Sequence, residues 1–135
     1  GKFGEQFTGW VVDAIRGLQK GFAITLLDLG GKRLPPNDDI LRGSTHCIVL
    51  SSQEAETKAW VEYGQSYGCE VLAVIESRLV KNECGDLDSS ARSSLDTSAT
   101  PVAGTLVNLD REAPADPYRE AVNALAERLI AEAGR

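Results

Sequence analysis

Three short runs dominate what this chain can fold into: residues 22–28 (FAITLLD), 46–52 (HCIVLSS) and 70–77 (EVLAVIES). Each is nearly continuous in apolar and β-branched side chains, too short for a core helix, and closed off by glycine or polar residues. Strands of that kind are covered on both faces, which is the habit of parallel sheets rather than of half-solvated antiparallel ones. The segments around them have a different period. Phe7, Trp10, Val11, Ile15 and Leu18 recur at spacings of three and four, so residues 5–20 are expected to be an amphipathic helix ending near Gly21. A short helical stretch is expected at 37–42 after two prolines. A helix at about 53–66 keeps Ala55, Ala59, Trp60 and Tyr63 on related faces and stops at Gly68. A fourth strand is expected at 104–110 and a last helix at about 117–133, with Pro117 in its first turn and Tyr118, Val122, Leu125, Leu129 and Ile130 on one face.

Strands alternating with helices imply one α/β domain over residues 1–135: three layers, a mainly parallel sheet, and helices on both of its faces. The length of 135 residues leaves little room for a second domain. One stretch departs from the pattern. Residues 81–100 hold five serines, two threonines and two large apolar side chains, too few to offset the cost of ordering, so a mobile Ser-rich loop is expected there.

Composition narrows the function. A formal charge of −6 disfavours a broad phosphate-tracking surface, so direct nucleic-acid binding is not indicated. No apolar run approaches the length of a membrane span, and no signal peptide opens the sequence. Three cysteines, an odd number without CxxC spacing, suit a reducing compartment and point to the cytoplasm. Cys47, inside an apolar run, reads as a small buried hydrophobe. With one histidine no zinc spacing arises, and no GxSxG elbow accompanies it, so His46 reads as structural.

Ligands of parallel α/β sheets gather beyond the carboxyl ends of the strands. That rule selects Asp28 with Gly30 and Gly31, then Ser51 and Ser52, Glu76 and Ser77, and Asp110 with Arg111. The first group says most. An aspartate closing an apolar strand is placed to hold Mg²⁺, and the following glycines let backbone approach a phosphate, as in the Walker-B arrangement. The same pattern also arises as a plain tight turn. The Walker-A sequence GxxxxGK[ST] is absent from all 135 residues.

Taken in order, Gly1-Lys2-Phe3 with Phe7, LLDLGG (26–31), THCIVLSS (45–52), Trp60, the ES at 76–77 and GTLVNLDRE (104–112) resemble one known domain. It is the C-terminal portion of the P-loop NTPase-like, AAA-labelled domain of CRISPR-associated proteins. In some of those proteins the domain is fused to, or encoded with, a ring nuclease that degrades cyclic oligoadenylate messengers of type III systems. The resemblance spans most of the chain apart from residues 81–100, and departs from the family at Glu112, where glycine is more usual. It implies a nucleotide-binding domain in which Asp28 is the Mg²⁺ residue, Gly30 and Gly31 form a switch-like turn, and Asp110 and Arg111 contact base or ribose. ATP or another nucleotide would be the ligand. A ring nuclease would be the partner, and homo-oligomers are expected. It also implies a P-loop strand upstream of Gly1, consistent with the lack of methionine at position 1. Without it, residues 1–135 are not expected to hydrolyse ATP. Two other readings remain: a non-catalytic interaction or dimerisation module on the same scaffold, and an unrelated flavodoxin-like binding domain.

Overall fold

Glu70–Arg78 is the pivot of the sheet. A computed structural model describes Asp13 and residues 24–134. In it the elements run α1 (Pro35–Arg42), β1 (His46–Ser51), α2 (Glu54–Ser66), β2 (Glu70–Arg78), β3 (Ser94–Asp96), β4 (Val102–Val107) and α3 (Arg119–Ala133). The four-stranded sheet has the order β1-β2-β4-β3. β1, β2 and β4 are parallel, and β3 joins the β4 edge antiparallel. Apart from Asp13, the expected helix at 5–20 lies outside the described residues, as do residues 22 and 23 of the expected first strand.

Register sorts the side chains between two faces. Ile48 pairs with Ala73, Leu50 with Ile75, and Ala73 with Val102, so these residues share one side of the sheet. There Ala73, Ile75, Val102 and Leu106 are buried, and Tyr118, Ala121 and Leu125 from α3 and its approach pack against them. Val49, paired with Val74, faces the other side, where α2 packs with its Gly64 against Cys47. The chain is therefore an α/β fold with its two longer helices on opposite faces of a mixed, mainly parallel sheet. β2 is apolar throughout its centre because both its faces are covered.

Helix ends follow from local chemistry. α1 starts on Pro35, whose missing N–H costs nothing in a first turn. α2 closes in a Schellman motif: the Cys69 N–H donates to the Gly64 carbonyl at 3.1 Å and the Gly68 N–H to the Gln65 carbonyl at 3.0 Å. That is the stop expected at Gly68.

Three expectations need correction. Residues 24–28, expected as strand, join no ladder with another described residue. Apolarity makes a segment strand-competent, but only a neighbour with matching free donors and acceptors makes it a strand. The fourth strand begins at Val102 and ends at Val107, earlier than the expected 104–110. Gly104 is not its boundary but its crowded middle. A Cβ there would lie 2.1 Å from the Ser94 carbonyl oxygen, and its φ is +145°, a conformation that L side chains rarely adopt. Asn108, at φ 55°, turns the chain out of the strand. Finally, the segment read as a Ser-rich loop contains β3, and a web of local bonds: Asp88 accepts from Ser90, Asp96 from Ser98, and the Asn82 side chain from the N–H groups of Cys84 and Asp86. Serine and aspartate at spacing two make such turns from side chain to backbone, without apolar burial.

Candidate functional site

Among the described residues no strand pairs with the outer edge of β1, and residues 24–31 run past it on the far side of an apolar cavity of about 790 Å³. Trp60 and Tyr63 of α2 line one face of this cavity and Leu129 and Ala133 of α3 another. Asp28 and Glu132 are the carboxylates among its described lining residues. Ile48 and Leu50 are 39% and 48% exposed there, high for the apolar residues of a parallel strand.

Asp28, Gly30 and Gly31 are brought together on this cavity. The Gly30 N–H donates to Asp28 Oδ1 at 2.9 Å, an Asx turn that carries Gly30 to φ +69°. No Cβ clash arises at Gly30 or Gly31, so the space in front of the turn is open. Asp28 is exposed, with one carboxylate oxygen engaged in the turn. The turn is tied down from behind: the Asn37 side-chain amide donates to the Leu29 carbonyl at 2.9 Å and the Lys32 carbonyl at 2.7 Å.

Next to it, residues 33–42 are latched onto α2. Arg33 makes an ion pair with Glu56 at 3.0 Å and lies 5.3 Å over the Trp60 ring. The Tyr63 hydroxyl donates to Asp38, and Arg42 lies 4.9 Å over the Tyr67 ring. Burial, and then the bond to Asp38, hold the Tyr63 phenol above its ordinary range. Helical spacing placed Trp60 and Tyr63 on α2, but nothing in the spacing showed that Arg33 would cover the one and Asp38 would bond the other.

The other strand-end residues are engaged elsewhere. Ser51 Oγ accepts from the Gln53 N–H at 3.2 Å, Glu76 pairs with Arg78 at 2.7 Å, and Asp110 Oδ1 accepts from the Glu112 N–H at 2.9 Å. Ser52 and Arg111 are exposed and Ser77 half-buried. Asp110 and Arg111 follow β4, two strand spacings or roughly 10 Å from β1, and do not line the cavity. His46 is bonded locally, with Nδ1 2.8 Å from Thr45 Oγ1 and Nε2 3.3 Å from Glu70. Burial, helped by the neighbouring Cys69, pushes the Cys47 thiol up to about 11, so it stays protonated at neutral pH as a small packing group. No group of three histidine, cysteine or acidic side chains converges among the described residues, and no helix among them is long and apolar enough to cross a membrane.

The arrangement offers one exposed carboxylate on an open glycine turn, at the lip of an apolar trough. No protein-family model, curated protein or solved structure matches the chain.

Proposed function

We propose that this chain is part of a nucleotide-binding, P-loop NTPase-like domain, serving type III CRISPR cyclic-oligoadenylate signalling beside a ring nuclease. The observation that carries the reading is the placing of Asp28, Gly30 and Gly31 on the cavity that flanks the parallel strand β1. Mg²⁺ keeps several waters and takes one or two protein carboxylates together with phosphate oxygens. Asp28 fits that demand as an exposed carboxylate with one oxygen held by the Gly30 N–H. It would hold the ion, which would neutralise phosphate charge. The Gly30 and Gly31 backbone would leave room for the phosphates, and Asp110 and Arg111 would contact base or ribose. The chain's own sequence supplies no phosphate cradle, so that element would have to come from a GxxxxGK[ST] loop upstream.

A second reading, a non-catalytic docking or dimerisation module, is favoured by the exposure of Leu26 (72%) and Ile130 (65%). Calorimetry with ATP and Mg²⁺ separates the two. The nucleotide reading expects weak binding and no hydrolysis by residues 1–135, and micromolar binding once an upstream P-loop is present. No gain on adding that segment would leave the docking module as the better account.

A further inference from the structure

One peptide unit in the Asp28 turn is held at both ends. The Leu29 carbonyl accepts from Asn37 Nδ2 at 2.9 Å, and the N–H of the same unit, on Gly30, donates to Asp28 Oδ1 at 2.9 Å. In a trans peptide these two groups point in opposite directions, so the plane is stretched between the asparagine amide and the carboxylate. Asn37 Nδ2 also donates to the Lys32 carbonyl at 2.7 Å, beyond the glycine pair. Two carbonyl acceptors fix which end of the amide faces the turn, because only its NH₂ can donate. We infer that Asn37 is a positioning residue for Asp28, acting through the Leu29–Gly30 peptide, which it locks in one orientation.

The lock matters because a glycine follows the peptide. Gly30 sits at φ +69° with open space where a Cβ would be, and glycine tolerates either sign of φ. A half-turn of the plane therefore meets no side chain at position 30. It would aim the Leu29 carbonyl oxygen at the Asp28 carboxylate and the Gly30 N–H at the asparagine NH₂, and both encounters repel. Asn37 and Asp28 thus favour the same orientation, and each strengthens the bond the other makes. The base of the lock is itself anchored. Asn37 stands in the first turn of α1, its neighbour Asp38 accepts from the Tyr63 hydroxyl of α2, and Arg33 pairs with Glu56. The lock stands on the turn's own geometry, and its bearing on Mg²⁺ rests on the nucleotide reading. There the ion's strict octahedral geometry rewards a carboxylate fixed beforehand.

The test uses Asn37→Asp and Asn37→Ala. Aspartate keeps the shape, loses both donors and suits the first turn of a helix, whereas alanine loses the donors without adding charge. Exchange of the Gly30 amide with water, read by NMR, should quicken about threefold to tenfold in both variants, while the Gly43 amide that closes α1 keeps its rate. Asp28→Ala should quicken it too, and the double variants should fall short of the product of the single effects, because both changes release one peptide. In protein carrying an upstream P-loop, Asn37→Ala should weaken Mg²⁺-dependent ATP binding about threefold or more and leave ATP binding without Mg²⁺ unchanged. Parent-level Gly30 exchange in either variant, single effects that multiply, or quickening only where α1 also frays would overturn the lock. So would parent-level Mg²⁺-dependent affinity in Asn37→Ala when Asp28→Asn has lost it. Nucleotide binding indifferent to Asp28→Asn, with Gly30 exchange coupled as expected, would uphold the lock and remove the nucleotide reading.

Discussion

Gly64 of α2 lies directly against Cys47 of β1: a Cβ at position 64 would fall 2.8 Å from Sγ and 3.7 Å from the cysteine Cβ. Helix and strand approach this closely because one partner has no side chain and the other a small one. Gly64 is the buried residue of α2, and the Schellman bond from Cys69 ends on its carbonyl. The contact therefore fixes both the height of α2 over the sheet and the point where the chain turns into β2.

Gly64→Ala should for that reason destabilise the protein despite alanine's better helix propensity. The clash costs about 1–3 kcal/mol, against about 1 kcal/mol gained in propensity. Cys47→Ala removes the sulfur, so the double variant should be more stable than the two single changes add up to, by about 1–2 kcal/mol. Denaturant unfolding of all four proteins measures the coupling. Strict additivity would mean that the helix shifts freely and the contact sets nothing.

Asn108 is 1% exposed and fastens the long connection between β2 and β3. Its Oδ1 accepts from the Val80 N–H at 2.7 Å, and its Nδ2 donates to the Val80 and Asp88 carbonyls at 3.1 and 2.9 Å. Asn108→Gly keeps the positive φ and deletes those bonds. A loss of about 2–4 kcal/mol is expected, with new amide exchange at residues 80–92. A loss below about 0.5 kcal/mol would show that water replaces the side chain freely.

Asp88 and Asp96 are held below the ordinary carboxylate value of 3.8, first by the hydroxyls of Ser90 and Ser98 and then by the backbone N–H groups of the same serines. A depressed carboxylate contributes its stability above the unfolded value and loses it as pH falls through the folded one. The turns at 88–90 and 96–98 should thus be intact at pH 5 and open progressively below about pH 4. Ser90→Ala should move the Asp88 titration up towards 3.8, read from its carboxyl carbon shift. Unmoved titration would remove the Ser90 hydroxyl as the cause.

Where an element's partners are near in sequence or dictated by period, the chain was legible. HCIVLSS and EVLAVIES are parallel strands because continuous apolarity demands cover on both faces, and α2 stops at Gly68 through bonds made within one turn. Residues 24–28 were misjudged because strand formation depends on a neighbour, which no local pattern encodes. β3 was missed because its three residues carry only Leu95 as a large apolar side chain, and the Ser94 carbonyl's approach to Gly104 is tertiary. At the candidate site, Asp28 with Gly30 and Gly31 was readable as strand-end chemistry. The Arg33–Trp60 and Tyr63–Asp38 latch was not, since it joins segments 25 or more residues apart.

The most direct measurement compares Asp28→Asn and Asp28→Ala in protein carrying an upstream P-loop. The asparagine side-chain oxygen can still accept the Gly30 N–H, whereas alanine loses the turn bond seen at 2.9 Å. Asparagine should therefore leave the melting temperature unchanged, and alanine should cost about 0.5–1.5 kcal/mol. Both should weaken Mg²⁺-dependent nucleotide binding by about tenfold or more, because each removes the charge that holds the ion. Nucleotide affinity that stays at the parent level in Asp28→Asn, with Mg²⁺ present, would contradict the assignment and leave Asp28 as the cap of a turn.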